Sequence, residues 1–121
     1  MTNEELSTEE RMLKLIERLS IKTHEGQLHW ERTANPSIFQ TSFPSYVVRL
    51  NVRQEADSTP DYVITVRGQD GTVLEQTSDV EISKAVPSSN AYTVMADLFA
   101  RARRQALGVN EALDSLLSEL E

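Results

Sequence analysis

The chain of 121 residues has no cysteine, only two histidines and only four glycines. Without cysteine, disulfides, thiolate metal sites and thiol nucleophiles are excluded. The glycines form no Gly-rich loop ahead of a helix, so phosphate loops and dinucleotide fingerprints are excluded too. A Gly-x-Ser-x-Gly nucleophile elbow is also missing. We therefore expect a protein that is not an enzyme and needs no cofactor.

Long apolar runs and an excess of basic charge are lacking as well. No apolar run approaches the ~20 residues of a membrane span. The formal net charge is -7, which argues against a nucleic-acid partner because such partners need a basic surface. The segment Met1–Glu5 is acidic, unlike the positive start of a secretory signal. We expect a cytoplasmic protein with no membrane partner.

Strict alternation of apolar and polar residues marks the middle of the chain. Two runs, from Tyr46 to Arg53 and from Tyr62 to Arg67, are separated by a polar break over Asp57–Pro60, and a third runs from Val73 to Ser78. Period-two alternation sends side chains to opposite faces of a sheet. These runs predict an antiparallel sheet with one apolar face.

Asp70-Gly71 predicts a hairpin turn, because glycine accepts the positive φ of tight turns. A two-residue loop would place Val66 opposite Glu75 and Val73 on the core face. A three-residue loop, with Gly71 as its bulge, would bury Leu74 there instead and free Glu75. We favour the three-residue loop.

Two further segments before the main runs are β-prone. Gln27–Thr33 alternates around Leu28 and Trp30 and predicts a first strand. Ile38–Phe43 is followed by Pro44, so it is either a short edge strand or the first half of a bent strand.

Helices are predicted at both ends of the chain. Ser7 and Glu10 form a capping-box pattern ahead of a helix over Thr8–Ser20. A second helix starts at Ala91 and ends before Gly108, after a connection over Asp79–Pro87. Asn110 caps a last helix. The leucines expected on the inner face of that helix are Leu113, Leu116, Leu117 and Leu120.

These elements predict one α+β domain over residues 1–121. An N-terminal helix is followed by an antiparallel meander of three to four strands and by two C-terminal helices packed on one sheet face.

The layout has recognisable landmarks: residues 26–30 after the leading helix, Asp70-Gly71 in the meander, and residues 100–108 leading into a leucine helix. It resembles uncharacterised small bacterial proteins with a helix–meander–helix arrangement. The resemblance implies this fold and no particular activity.

His24 and His29, with Glu25 or Glu31 nearby, have residue types that bind zinc. Solvated polar side chains account for them more simply, so we predict no metal site. The aromatic residues Trp30, Tyr46 and Tyr62 fall on the core faces of the strands. We interpret them as core and not as a platform for stacking bases.

The opposite face of the sheet carries arginines, whose guanidinium forks suit phosphate or carboxylate. Solvated charge that keeps a sheet from aggregating is the simpler account. If the face binds an anion, the candidate ligand-binding residues are Arg49, Arg53, Arg67, His29 and Asn51.

Two functions follow from these patterns. The first is a non-enzymatic binding, regulatory or protein-interaction module, assembled as a homodimer because helices cover one sheet face and Val47 and Val63 point outward. The alternative is a protein that sequesters a small anion or nucleotide signal on its arginine face.

Overall fold

The structure is a computed structural model that describes residues 6–54 and 58–121. Met1–Glu5 and Asp57, which begins the predicted polar break, lie outside those ranges. The described elements are α1 (Thr8–His24), β1 (Glu31–Arg32), β2 (Ile38–Ser42), β3 (Tyr46–Arg53), β4 (Asp61–Gly68), β5 (Val73–Ser78), α2 (Asp79–Ala85), α3 (Ala91–Leu107) and α4 (Val109–Glu119). The α+β class is confirmed, with five strands where three to four were predicted.

Helix α1 begins at the predicted capping box. The Ser7 hydroxyl accepts from the Glu10 amide at 3.1 Å, and the Glu10 carboxylate accepts from the Ser7 amide at 3.0 Å. The helix continues past Ser20 to His24 and ends where Gly26 adopts a φ of 72°. Glycine carries no Cβ penalty in this left-handed conformation, so it terminates the helix there.

The five strands form one antiparallel sheet in the order β1-β2-β3-β4-β5. Ile38–Phe43 was predicted to be either a short edge strand or the first half of a bent strand. It contains a separate strand, β2, because the chain turns after it and β3 pairs antiparallel with it. The Phe43 amide donates to the Tyr46 carbonyl at 2.8 Å across that turn.

Of the predicted first strand, Gln27–Thr33, only the two residues of β1 form a strand. The backbone ahead of it is bound to helix α3 instead of to a strand. Gln105 accepts from the Trp30 amide and donates to the Leu28 carbonyl at 3.1 Å. Those two backbone groups are therefore satisfied without a sheet ladder.

The β4–β5 hairpin has the predicted three-residue loop, with Gly71 at a φ of 92°. The prediction that Leu74 joins the core is nevertheless wrong. Arg67 pairs with Val73, but Val66 pairs with Glu75, so Leu74 is an extra, bulged residue that stays exposed. One inserted residue moves every later side chain to the other face of a strand.

The segment Asp79–Pro87, predicted as a connection, contains helix α2. Ser78 caps it, since its hydroxyl accepts from the Glu81 amide at 3.2 Å. Asp79 is buried and accepts from the Tyr62 amide at 2.7 Å, which ties the start of α2 to β4. Ser78 and Glu81 have capping-box spacing, a signal in the sequence that marks this helix start.

The core lies between the inner face of the sheet and the helices α1, α2 and α3. Trp30 is buried as predicted, and Phe39, Leu50 and Ile64 come from the strands. Tyr62 is partly buried against Phe99 and Tyr92. None of the helices in the described residues is both long and apolar enough to cross a membrane.

Helix α4 differs from its prediction. Gly108, with a φ of 64°, separates it from α3 and leaves Val109 as its first residue. Asn110 therefore lies inside the helix and accepts from Arg104 at 2.9 Å instead of capping. No residue of α4 is buried, so its leucines do not pack on the sheet face.

Candidate functional site

A row of polar side chains crosses the outer face of the sheet. The strand register aligns one residue from each strand, in the order Glu31, Gln40, Arg49, Thr65 and Gln76. We call this set the polar row. Gln40 donates to Glu31 at 3.1 Å, Arg49 Nε donates to Gln40 at 2.9 Å, and Gln76 donates to Thr65 at 2.8 Å.

Arg67 lies beside the polar row, diagonal to Arg49 on the neighbouring strand. Arg49 pairs with Thr65, and Arg67 follows Thr65 by two residues. Diagonal neighbours in a sheet stand about 7–8 Å apart, within reach of long side chains. Partial burial, and then the charge of Arg67, lower the pKa of the Arg49 guanidinium. Two cations thus lie next to one another on this face.

Glu31 on β1 and Glu75 on β5 do not contact these two cations directly. Glu31 reaches Arg49 only through Gln40. Glu75 pairs with Val66 and so belongs to the opposite face. Arg67 Nε is buried and has no hydrogen-bond partner within the described residues. Among the residues that the structure describes, no carboxylate forms an ion pair with Arg49 or Arg67.

The remaining predicted site residues are spread along the face. Asn51 shares the face with Arg49 and accepts from Ser37 at 3.3 Å. Arg53 lies at the end of β3, opposite Asp61. His29 precedes the edge strand β1, three strands away from Arg67 on β4. The structure brings Arg49 and Arg67 together, places Asn51 beside Arg49 only, and separates His29 and Arg53 from that pair.

Val47 and Val63 do not provide the outward apolar surface expected of a dimer face. They are only 6% and 5% exposed within a single chain. Val47 lies in the central strand next to Arg67, and neighbouring side chains on the same face cover it. Both lie on the outer face as predicted, but they offer little accessible apolar surface, so they do not support the homodimer prediction, which stays a prediction.

The histidines are not assembled into a metal site in the described ranges. No cluster of three or more His, Asp or Glu side chains occurs there. His24 Nε2 instead lies 3.0 Å from Asp97 on α3, which also accepts from Arg101 at 3.1 Å. The histidine therefore joins the end of α1 to α3.

Helix α4 and Leu120, the residue that caps its C-terminus, present four exposed leucines. Leu113, Leu116, Leu117 and Leu120 are 48%, 54%, 66% and 81% exposed. We call these four side chains the leucine face. Their spacing of three, one and three residues places them on one side of the helix. The sequence identified this apolar stripe but assigned it to the core of the same chain.

A shallow groove of about 210 Å³ opens where α1 crosses the inner face of the sheet. Its lining is wholly apolar or aromatic and consists of Leu15, Phe43, Tyr46, Val48 and Val66. We call it the apolar groove. Tyr46 was predicted to be core, yet its side chain is 51% exposed, because it lies at the open end of this groove.

Basic side chains lie beside the apolar groove on α1. Arg11, Lys14 and Arg18 are exposed and line a separate depression on α1 together with Leu6. Arg11 and Arg18 stand four residues before and three residues after Leu15, so they share its side of the helix.

Comparison with known proteins finds no matching family model, no matching curated protein and no matching solved structure. The layout's resemblance to small bacterial helix–meander–helix proteins thus stays an expectation, and the surfaces themselves carry the argument for function.

Proposed function

We propose that this protein is a non-enzymatic interaction module that assembles into a homodimer through helix α4. The observation that carries the proposal is the exposed leucine face, of which Leu117 and Leu120 are the most accessible members. The absence of cysteine fits a reducing cytoplasm, where we place the protein.

Four leucines on one side of an exposed helix are costly in water. Full burial of one leucine side chain stabilises by about 1.5–3 kcal/mol. Contiguous exposed apolar surface bordered by polar residues is typical of protein-interaction sites. The leucine face has this character, because the other residues of α4 include three acids and two serines.

The length of α4 supports the same conclusion. It has 11 residues, and isolated helices shorter than ~12–15 residues are marginal in water. Helix stability in proteins comes mostly from packing an apolar stripe, and α4 has no buried residue of its own. A partner that covers the leucine face would provide the packing.

The test compares association of the wild type with that of Leu113→Glu/Leu117→Glu. Both leucines are about half or more exposed, so the fold of the single chain tolerates the change. Ser115→Glu/Ser118→Glu, on the other side of α4, adds the same charge and serves as the matched control. We expect sedimentation at the mass of one chain for the leucine variant and of two chains for the control.

The second candidate function is the binding of a small anion at Arg49 and Arg67. The observation in its favour is that Arg67 Nε is buried and has no hydrogen-bond partner within the described residues, beside a second cation. Guanidinium groups bind phosphate and carboxylate bidentately, so one anion bridging both would satisfy them. Thermal stability with and without anions tests this function.

A further inference from the structure

We propose that the leucine face of one copy docks into the apolar groove of a second copy, and that the contact is reciprocal. The inference rests on the proposed homodimer and identifies the surface that covers α4. Each copy donates its α4 and receives that of its partner.

The two surfaces match in chemistry. The leucine face presents four branched aliphatic side chains on a helix about 16 Å long. The apolar groove offers Leu15, Phe43, Tyr46 and two valines, and no charged side chain lines it. Burying leucine against aromatic and aliphatic side chains gains apolar area without leaving a polar group unpaired.

The charges around the two surfaces are opposite in sign. At 100° per residue, Asp114 and Glu119 flank the leucine face on its two sides. Arg11 and Arg18 flank Leu15 beside the apolar groove. Opposite charges at the border of an interface steer association and fix its orientation.

Charge also disfavours the obvious competing arrangement, in which two α4 helices pack on one another. Residues 109–121 contain four carboxylate side chains and no lysine or arginine. Helix-on-helix packing would bring acidic borders together, and like charges across an interface cost free energy. The border of the apolar groove is basic, so docking there brings opposite charges together and lowers the free energy of association.

A reciprocal arrangement buries more area than a single docked helix would. Stable interfaces bury about 1,200–2,000 Å² in total, and two-fold symmetry applies each contact twice. Helix α4 is available for this exchange, because its packing in the single chain is against α3 and buries none of its residues.

The experiment exchanges the charges between the two surfaces. One variant is Arg11→Glu/Arg18→Glu beside the groove, and the other is Asp114→Lys/Glu119→Lys on α4. Each alone faces like charge in its own homodimer, so we expect its dissociation constant to rise at least about tenfold. Mixed in equal amounts, the two variants form a heterodimer in which both contacts again join opposite charges.

The readout is the mass of the complex by sedimentation and by native mass spectrometry. Circular dichroism of each variant checks that the exposed substitutions leave the fold intact. Arg53→Glu/Arg103→Glu changes the net charge equally, away from both surfaces, and we expect it to dimerise as the wild type does. We predict that each charge variant alone loses dimerisation and that the equal mixture of the two recovers it.

Three results would overturn the inference. If Arg11→Glu/Arg18→Glu dimerises like the wild type, the groove is not the docking surface. If both variants lose association but the mixture does not recover it, the two surfaces do not meet. If the distant charge control weakens association equally, net charge is responsible. None of these results bears on the proposed homodimer itself, which is tested by Leu113→Glu/Leu117→Glu. A dimeric wild type with a monomeric leucine variant supports the homodimer even if the docking into the groove fails.

Discussion

The side-chain amide of Gln105, on α3, satisfies the backbone on both sides of His29. Its oxygen accepts from the Trp30 amide, and its nitrogen donates to the Leu28 carbonyl. The Trp30 indole donates to Thr23 on α1 at 3.0 Å. Trp30 therefore joins α1, α3 and the start of the sheet.

We expect Gln105→Ala to lower the free energy of unfolding by about 0.5–1.5 kcal/mol, because it removes two side-chain-to-backbone hydrogen bonds, of which the one to the Trp30 amide is partly buried. Urea unfolding measures the change. Arg103→Ala, two residues away on the exposed side of α3, is the control and changes stability by less than about 0.5 kcal/mol. Equal stability of the two variants would contradict the role given to Gln105.

Trp30→Ala removes the largest fully buried side chain and should cost about 3–5 kcal/mol. Trp30 is the only tryptophan, so native fluorescence reports on it directly. Its emission should lie well to the blue of that of the free amino acid in water. Native emission at the wavelength of the free amino acid would show that the side chain is solvated.

Much of the fold follows from local patterns in the sequence. Alternation predicted β3, β4 and β5, and the capping box of Ser7 and Glu10 predicted the start of α1. These signals succeed because each reflects a contact between residues that are close in the chain. The pair of Arg49 and Arg67 was predictable for the same reason, since strand phase and strand order place them.

The failures involve contacts that local patterns do not contain. Gln105 lies 75 residues from Trp30, so nothing near Trp30 predicts that a side chain replaces its strand pairing. The bulge at Leu74 reverses the faces of β5 without a glycine to mark it. An apolar stripe predicts that one side of α4 is covered, but it does not distinguish cover by the same chain from cover by another, and no residue of α4 is buried in the single chain.

Asp97 should make stability depend on pH. Burial raises the pKa of Asp97, but hydrogen bonds from His24 and Arg101 outweigh it and hold the pKa below its ordinary value. The contribution to stability is present above the pKa of the unfolded chain and is lost as the pH falls through the folded pKa. Its size is small, because the side chain is about half exposed to screening solvent.

We therefore expect the wild type to be more stable than Asp97→Asn at pH 7, and the difference to narrow as the pH falls below about 4. Urea midpoints from pH 7 to pH 3 measure it. Glu17→Gln, an exposed acid on α1, serves as the control. A difference that stays constant over the whole range would contradict the assignment.

Anions should stabilise the wild type if Arg49 and Arg67 bind them. The measurement is a thermal-shift series with phosphate, nucleotides and cyclic nucleotides on the wild type and on Arg49→Ala/Arg67→Ala. We expect a rise in Tm for the wild type that the double variant lacks. An equal change in Tm in both proteins would show that Arg49 and Arg67 do not form an anion-binding site.

The most direct test of the central claim, that the leucine face forms a homodimer, is sedimentation equilibrium of the wild type over the micromolar range. One chain has a mass of 13.6 kDa. The predicted result is twice that mass, falling to the mass of one chain in Leu113→Glu/Leu117→Glu. A wild type that remains at 13.6 kDa across the range would contradict the claim.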